Sequence, residues 1–157
     1  MDPKTALFPG SFDPITKGHV DIIKKGLLIF DRIVVAIGKN SKKNNLFDID
    51  QRAEWIRQVF KDEKRVSVET YDGLTIEFCK KINAGFILRG LRSPGDFEYE
   101  QNIAYANKEL VPDIETVFLL SGLSYSNISS TIVREVIIHK GDYTKFVPEG
   151  IVFKDIF

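Results

Sequence analysis

The sequence has a single cysteine, Cys79, in 157 residues. That excludes an intrachain disulfide framework and any all-cysteine metal site. Histidine is nearly as scarce: with only His19 and His139, a zinc centre would have to lean on carboxylates. An excess of charge of one sign is missing too. Lys plus Arg and Asp plus Glu are 22 each, so the overall field offers nucleic acid nothing to bind, although a local basic site stays open. Long apolar runs are absent. Stretches such as Ile33 to Ile37 and Val117 to Leu120 fall far short of the roughly 18 residues a spanning helix needs. The opening MDPKTALFPGSFDP has no apolar core longer than Ala6-Leu7-Phe8, and no secretory signal is visible in it. Neither GxxxxGK[ST] nor GxGxxG occurs, which removes the P-loop and dinucleotide fingerprints. The expectation is one cytoplasmic domain spanning residues 1–157, with neither nucleic acid nor membrane as partner.

What is present is ordinary globular composition, 43% hydrophobic and 28% charged, arranged in alternating patterns. Ile33 to Ile37, Phe86 to Leu88 and Val117 to Leu120 are short continuous apolar runs, as in parallel strands covered on both faces. Arg65 to Thr70 alternates instead and is expected nearer an edge. Thr5 to Phe8 makes a fifth strand, ended by Pro9-Gly10. Helical spacing lies between them. Val20, Ile23, Leu27 and Phe30 share one face, and so do Ile49, Ala53, Ile56 and Phe60, behind Asp48 and Gln51 spaced as a capping box. Leu74 to Ile82 is a shorter candidate, and Ile128 to Ile137 carries an apolar stripe. The β-α repeat predicts an α/β fold, a doubly wound five-stranded parallel sheet of Rossmann-like type.

Such sheets bind ligands beyond the carboxyl ends of their strands. The segments there are Pro9 to Asp13, Gly38 to Asn45, Arg89 to Arg92 and Ser121 to Asn127, all rich in residue types that bind phosphate. In the first, Gly10 lets backbone approach a ligand, and a helix starting near Gly18-His19 offers free N–H groups to an anion. His19 in that first turn can donate to a phosphate oxygen.

The run Gly10-Ser11-Phe12-Asp13-Pro14, then Thr16-Lys17-Gly18-His19, resembles the T/H-x-G-H signature of the nucleotidylyltransferase superfamily. Ile128-Ser129-Ser130-Thr131, followed by Arg134, resembles its late Ile-Ser-Ser-Ser/Thr signature. Between them, Ile87-Leu88-Arg89-Gly90-Leu91-Arg92 and Asp96-Phe97-Glu98-Tyr99-Glu100 resemble segments of the phosphopantetheine adenylyltransferase family. The resemblance implies transfer of AMP from ATP to 4′-phosphopantetheine, giving dephospho-coenzyme A and pyrophosphate, with Mg²⁺ as cofactor and a homohexamer as the assembly. Such a transfer asks little covalent work of the protein; cations and N–H donors around two mutually repelling anions carry it. A nucleotidylyltransferase for another small phosphate acceptor, and a nucleotide-binding module without turnover, are the alternatives.

The roles implied by the resemblance fall on particular residues. His19 stabilises the α-phosphate and, with a lysine of the loop after the second strand, is catalytic. Counting back from Leu46-Phe47 places that lysine at Lys43, whereas the Ser-Lys-Lys pattern would place it at Lys42; Lys43 is the assignment taken. Ser11 (where the family usually has Thr), Lys43, Thr75 and Arg89 are the acceptor-side residues. Ser11, Phe12, His19, Gly90, Leu91, Arg92, Glu100 and the run Tyr125, Ser126, Asn127, Ile128, Ser129, Ser130 and Thr131 are the ATP side. Plainer readings stand beside these. Glu98 suits a helix start by its charge, and Ser129 to Thr131 suit N-caps, which share their geometry with phosphate binding. Arg134 is either solvated or a phosphate ligand. Trp55 reads as a core or interface residue, Cys79 as a small buried apolar residue, and His139 as a helix C-terminal residue.

Overall fold

A computed structural model describes residues 4–39 and 44–153. Five strands form one parallel sheet: β1 (Thr5–Gly10), β2 (Arg32–Gly38), β3 (Val66–Tyr71), β4 (Phe86–Leu91) and β5 (Glu115–Leu120). Their order is β3-β2-β1-β4-β5, the doubly wound arrangement, with the direction of winding reversing beside β1. Among the described residues five α-helices connect and follow them: α1 (Lys17–Gly26), α2 (Ile49–Val59), α3 (Thr75–Lys81), α4 (Pro94–Leu110) and α5 (Ser130–Ile138). Among the described residues no helix is long and apolar enough to cross a membrane.

The sheet separates two apolar clusters. Ile22 and Ile23 of α1, Ala53, Trp55 and Ile56 of α2, and Val133 and Ile137 of α5 pack with Val35, Ile37 and Leu88 on one face. Ile76 and Cys79 of α3 pack with Leu7, Val34 and Ile87 on the other. Trp55 is in this core, its ring edge-on to Phe47 and to Phe153. Cys79 is fully buried, and desolvation pushes its thiol up to about 12, so it packs as an inert apolar group.

The alternating strand, β3, does lie at an edge. Three expectations need correction. β1 does not stop at Phe8; it continues through Pro9 and Gly10, paired with Ala36 and Ile37 of β2. Arg89, Gly90 and Leu91 are not a loop after β4 but its last three residues, paired with β5 from Phe118 to Leu120. The apolar run in β5 is not covered on both faces. β5 is the other edge strand and stays partly exposed, with Leu120 at 72%.

The seam between β1 and β4 is short. Its register covers Ala6–Phe86 and Leu7–Ile87, whereas the β1–β2 and β4–β5 registers run the length of their strands. Pro9 has no N–H to bring to that seam, and its carbonyl instead accepts from the Arg89 guanidinium at 2.7 Å. The sheet therefore opens at its carboxyl end where the winding reverses.

Candidate active site

A cleft of about 660 Å³ opens there, between the β1–α1 segment, the end of β4 and the start of α5. It brings together Ser11, Phe12, His19, Arg89, Gly90, Arg92, Glu100 and Ile128 to Thr131. Thr75 lies outside it, in a second cleft of about 690 Å³. The two share Gly10, Ser11, Arg89 and Glu100 as a common wall. Leu91 is buried and lines neither cleft, Tyr125 faces a different groove, and Ser126 and Asn127 also lie off both. Lys42 and Lys43 lie outside the described residues.

His19 is held by the start of α1. Thr16 is the N-cap, and its hydroxyl oxygen accepts from the His19 N–H at 3.4 Å. In return His19 Nδ1 accepts from the Thr16 N–H at 3.0 Å, closing a capping box in which histidine takes the place usually held by Glu or Gln. A backbone N–H can only donate, so Nδ1 is the unprotonated nitrogen and the proton sits on Nε2. Burial first, then the Arg92 and Arg89 charges, lower the His19 pKa from 6.5 to about 4. The ring packs edge-on to Phe12 at 4.9 Å between centroids, and Phe12 itself has φ 46°, an uncommon conformation for a bulky residue. His19 is thus a neutral N–H donor of fixed orientation.

Arg89 and Glu100 form a two-pronged pair. Arg89 Nε donates to Glu100 Oε2 at 2.7 Å and Nη2 to Oε1 at 2.5 Å. Glu100 is 8% exposed, and both of its oxygens are committed, so it orients the guanidinium at the wall between the clefts. Arg92 donates to the Ile128 carbonyl at 3.2 Å and sits 3.3 Å from Asp96. At α5, the Ser129 hydroxyl caps the Ile132 N–H at 3.2 Å and Ser130 donates to the Pro14 carbonyl at 2.9 Å. Arg134 is half-buried at the cleft, where it donates to the Asp13 carbonyl at 2.8 Å and to the Thr131 hydroxyl at 3.1 Å. Thr75 shares a hydrogen bond of 2.7 Å with Tyr71. Glu98 is exposed and His139 is largely solvated, 3.6 Å from Glu135.

Two residues that hold this arrangement carried no role in the sequence reading. Asp13, 2% exposed, accepts the Leu46 N–H at 2.9 Å and the Phe47 N–H at 3.0 Å. Arg52, 4% exposed, donates to the Ser11 carbonyl at 2.6 Å and to the Phe47 carbonyl at 3.0 Å. Together they tie the segment after β2 to the loop bearing Ser11. Burial works against the Arg52 charge, partly offset by Asp13 and Asp48. The signal was there: Arg52 lies on the same face of α2 as Ile49, Ala53 and Ile56, and a cation on a buried face needs partners.

Residues 7–136 match the cytidylyltransferase-like family. The chain is 55% identical over 151 residues to a phosphopantetheine adenylyltransferase of Flavobacterium johnsoniae, covering 96% of this chain and 99% of that one. It is 54% identical, with the same coverage, to the protein of that name from Flavobacterium psychrophilum. To the one from Geotalea daltonii it is 46% identical, covering 96% of this chain and 94% of that one.

Proposed function

This chain belongs to the cytidylyltransferase-like family, and from that membership and the geometry of its cleft we infer its reaction and the roles of its residues. It transfers AMP from ATP to 4′-phosphopantetheine, giving dephospho-coenzyme A and pyrophosphate in coenzyme A synthesis. A phosphate oxygen of the acceptor attacks the α-phosphorus of ATP, and the bond from that phosphorus to the β-bridging oxygen breaks as pyrophosphate leaves. The acceptor is already an anion, so no general base is needed. Positioning and charge stabilisation supply the rate.

The observation that carries the residue roles is the fixed, neutral His19 in a cleft lined by Arg89 and Arg92. Its Nε2–H stabilises charge that develops on the α-phosphate, a donor aimed at the transition state. The first turn of α5, with Ser129 to Thr131, offers N–H groups and the positive end of its dipole to the phosphates. The nucleotide lies in the cleft with Gly90, Arg92 and Ile128, and the pantetheine arm in the cleft with Thr75. The two phosphates meet at the wall of Ser11 and Arg89. Lys43 completes the catalytic pair as the family resemblance implies.

Mg²⁺ enters with ATP. Among the described residues no group of three or more metal-binding side chains converges. The carboxylates at the cleft, Asp13, Asp96 and Glu100, are engaged by backbone N–H groups or arginines. The ion would be held mostly by phosphate oxygens of the substrate and would supply screening of the triphosphate charge. A homohexamer is the assembly proposed. It suits the apolar side chains left on α4 and just beyond β5, with Tyr99 at 69%, Tyr105 at 63% and Leu123 at 94% exposure. The setting is the cytoplasm.

Pyrophosphate release with ATP, Mg²⁺ and 4′-phosphopantetheine, with the product weighed by mass spectrometry, tests the reaction. Release that depends on the acceptor, with dephospho-coenzyme A formed, is expected. ATP binding without release under those conditions would overturn it.

A further inference from the structure

Among the described residues, one buried side-chain nitrogen or oxygen lacks a hydrogen bond: the hydroxyl oxygen of Ser121. Ser121 follows directly on β5 and lines the cleft of His19 and Arg92. Its backbone is held firmly. The Ser121 N–H donates to the Leu91 carbonyl at 3.0 Å, and the next N–H, of Gly122, donates to Asp21 Oδ2 at 2.8 Å. An unpaired buried hydroxyl is costly, and one fixed in place on a ligand cleft is placed for a group the ligand brings.

Which group follows from the layout of the cleft. The phosphates are drawn to His19, Arg89 and the α5 N-terminus, and the acceptor joins from the side of Ser11. The nucleotide base is left the end farthest from that side, where Ser121 follows the edge strand β5. Adenine carries one exocyclic amine, which donates and needs an acceptor there. The carbonyls of Leu91, Ile128 and Gly122 each already accept one hydrogen bond, from the Ser121 N–H, Arg92 and the Tyr125 N–H, whereas the Ser121 hydroxyl has no partner. We propose that the Ser121 hydroxyl accepts a hydrogen bond from the exocyclic amine of adenine and favours that base over a purine lacking the amine. This rests on the reading of the cleft as the ATP site.

The test compares wild type with Ser121→Ala on two nucleotides, ATP and purine riboside 5′-triphosphate, which lacks the amine. With ATP the variant is expected to show a KM about 3–10-fold higher, the scale of one neutral hydrogen bond, with kcat and the acceptor KM unchanged. With purine riboside triphosphate, wild type and variant are expected to match. An unchanged ATP KM overturns the proposal. An equal rise for both nucleotides also overturns it, since the hydroxyl would then serve the ribose or the phosphates. Ser121→Thr keeps the hydroxyl and is expected to retain the wild-type preference for ATP over the analogue, while a matched melting temperature shows that each variant is folded. Wild-type turnover of ATP in the same assay separates the two readings: its absence sinks the ATP site itself, whereas its presence leaves Ser121 alone under test.

Discussion

At the scale of the residue, His19 is where chemistry and stability meet. Replacing it with alanine removes the donor proposed for the transition state and is expected to lower kcat by at least about 10²-fold with little change in ATP affinity. Its pKa also has a sign that can be checked. The folded chain holds His19 neutral down to about pH 4, while an unfolded histidine takes its proton near 6.5. Between those values the unfolded state binds more protons, so this contribution to stability is complete above about 6.5 and is lost as the pH falls towards 4. Urea unfolding of wild type from pH 7 to pH 5 should show a steeper decline than that of His19→Asn. The Arg89 pair gives a second test. Arg89→Ala should raise the phosphopantetheine KM, and Glu100→Gln should do so in the same direction, because the lost charge loosens the guanidinium it orients. If Glu100→Gln instead weakened ATP binding alone, the pair would not be the functional unit. That Ser11, His19 and Arg89 meet at one cleft was legible in the sequence, because each follows or ends a strand at the carboxyl edge of the sheet. The partner of Glu100 was not legible, since no spacing rule links residue 89 on a strand to residue 100 on the next helix.

At the scale of the element, the start of α1 serves two ends at once. Thr16→Ala removes the N-cap and is expected to cost about 1 kcal/mol of stability. It should also lower kcat, though by less than His19→Ala, because the imidazole loses its 3.1 Å contact with the Thr16 hydroxyl while keeping the bond from the Thr16 N–H. Thr16→Ser, which keeps the hydroxyl, should recover both, as read by denaturant melts and steady-state rates. The close approach of α1 to β4 gives a further case. A Cβ on Gly90 would lie 2.8 Å from Ile22 Cγ1, so Gly90→Ala should push α1 outward and destabilise the fold by about 1–3 kcal/mol. The positions of the elements were readable from apolar periodicity, and the edge place of β3 from its alternation. Strand ends were not. Arg89 and Gly90 look like loop residues by composition, yet ladder bonds to β5 and the packing of Ile22 keep them in the strand. The run Val117 to Leu120 looked fully covered because apolar content records what a surface avoids, not which neighbour within the chain covers it.

For the whole molecule, the apolar side chains along α4 and beyond β5 bear on assembly. A hexamer is expected at micromolar concentration, measured by light scattering, and a particle of one chain would remove the assembly proposed here. Within each chain the sheet is joined unevenly. The β1–β4 seam carries a short register, and beyond it the Arg89 side chain bridges to the Pro9 carbonyl. Two halves, β3-β2-β1 on one side and β4-β5 on the other, thus meet across their weakest line, and the ligand cleft straddles it. In hydrogen exchange the amides flanking that seam should open together and at lower free energy than the central rungs of each half. Nucleotide bound across the gap acts as a rivet: it should slow exchange in both halves at once and make a loosely jointed sheet unfold as a single body.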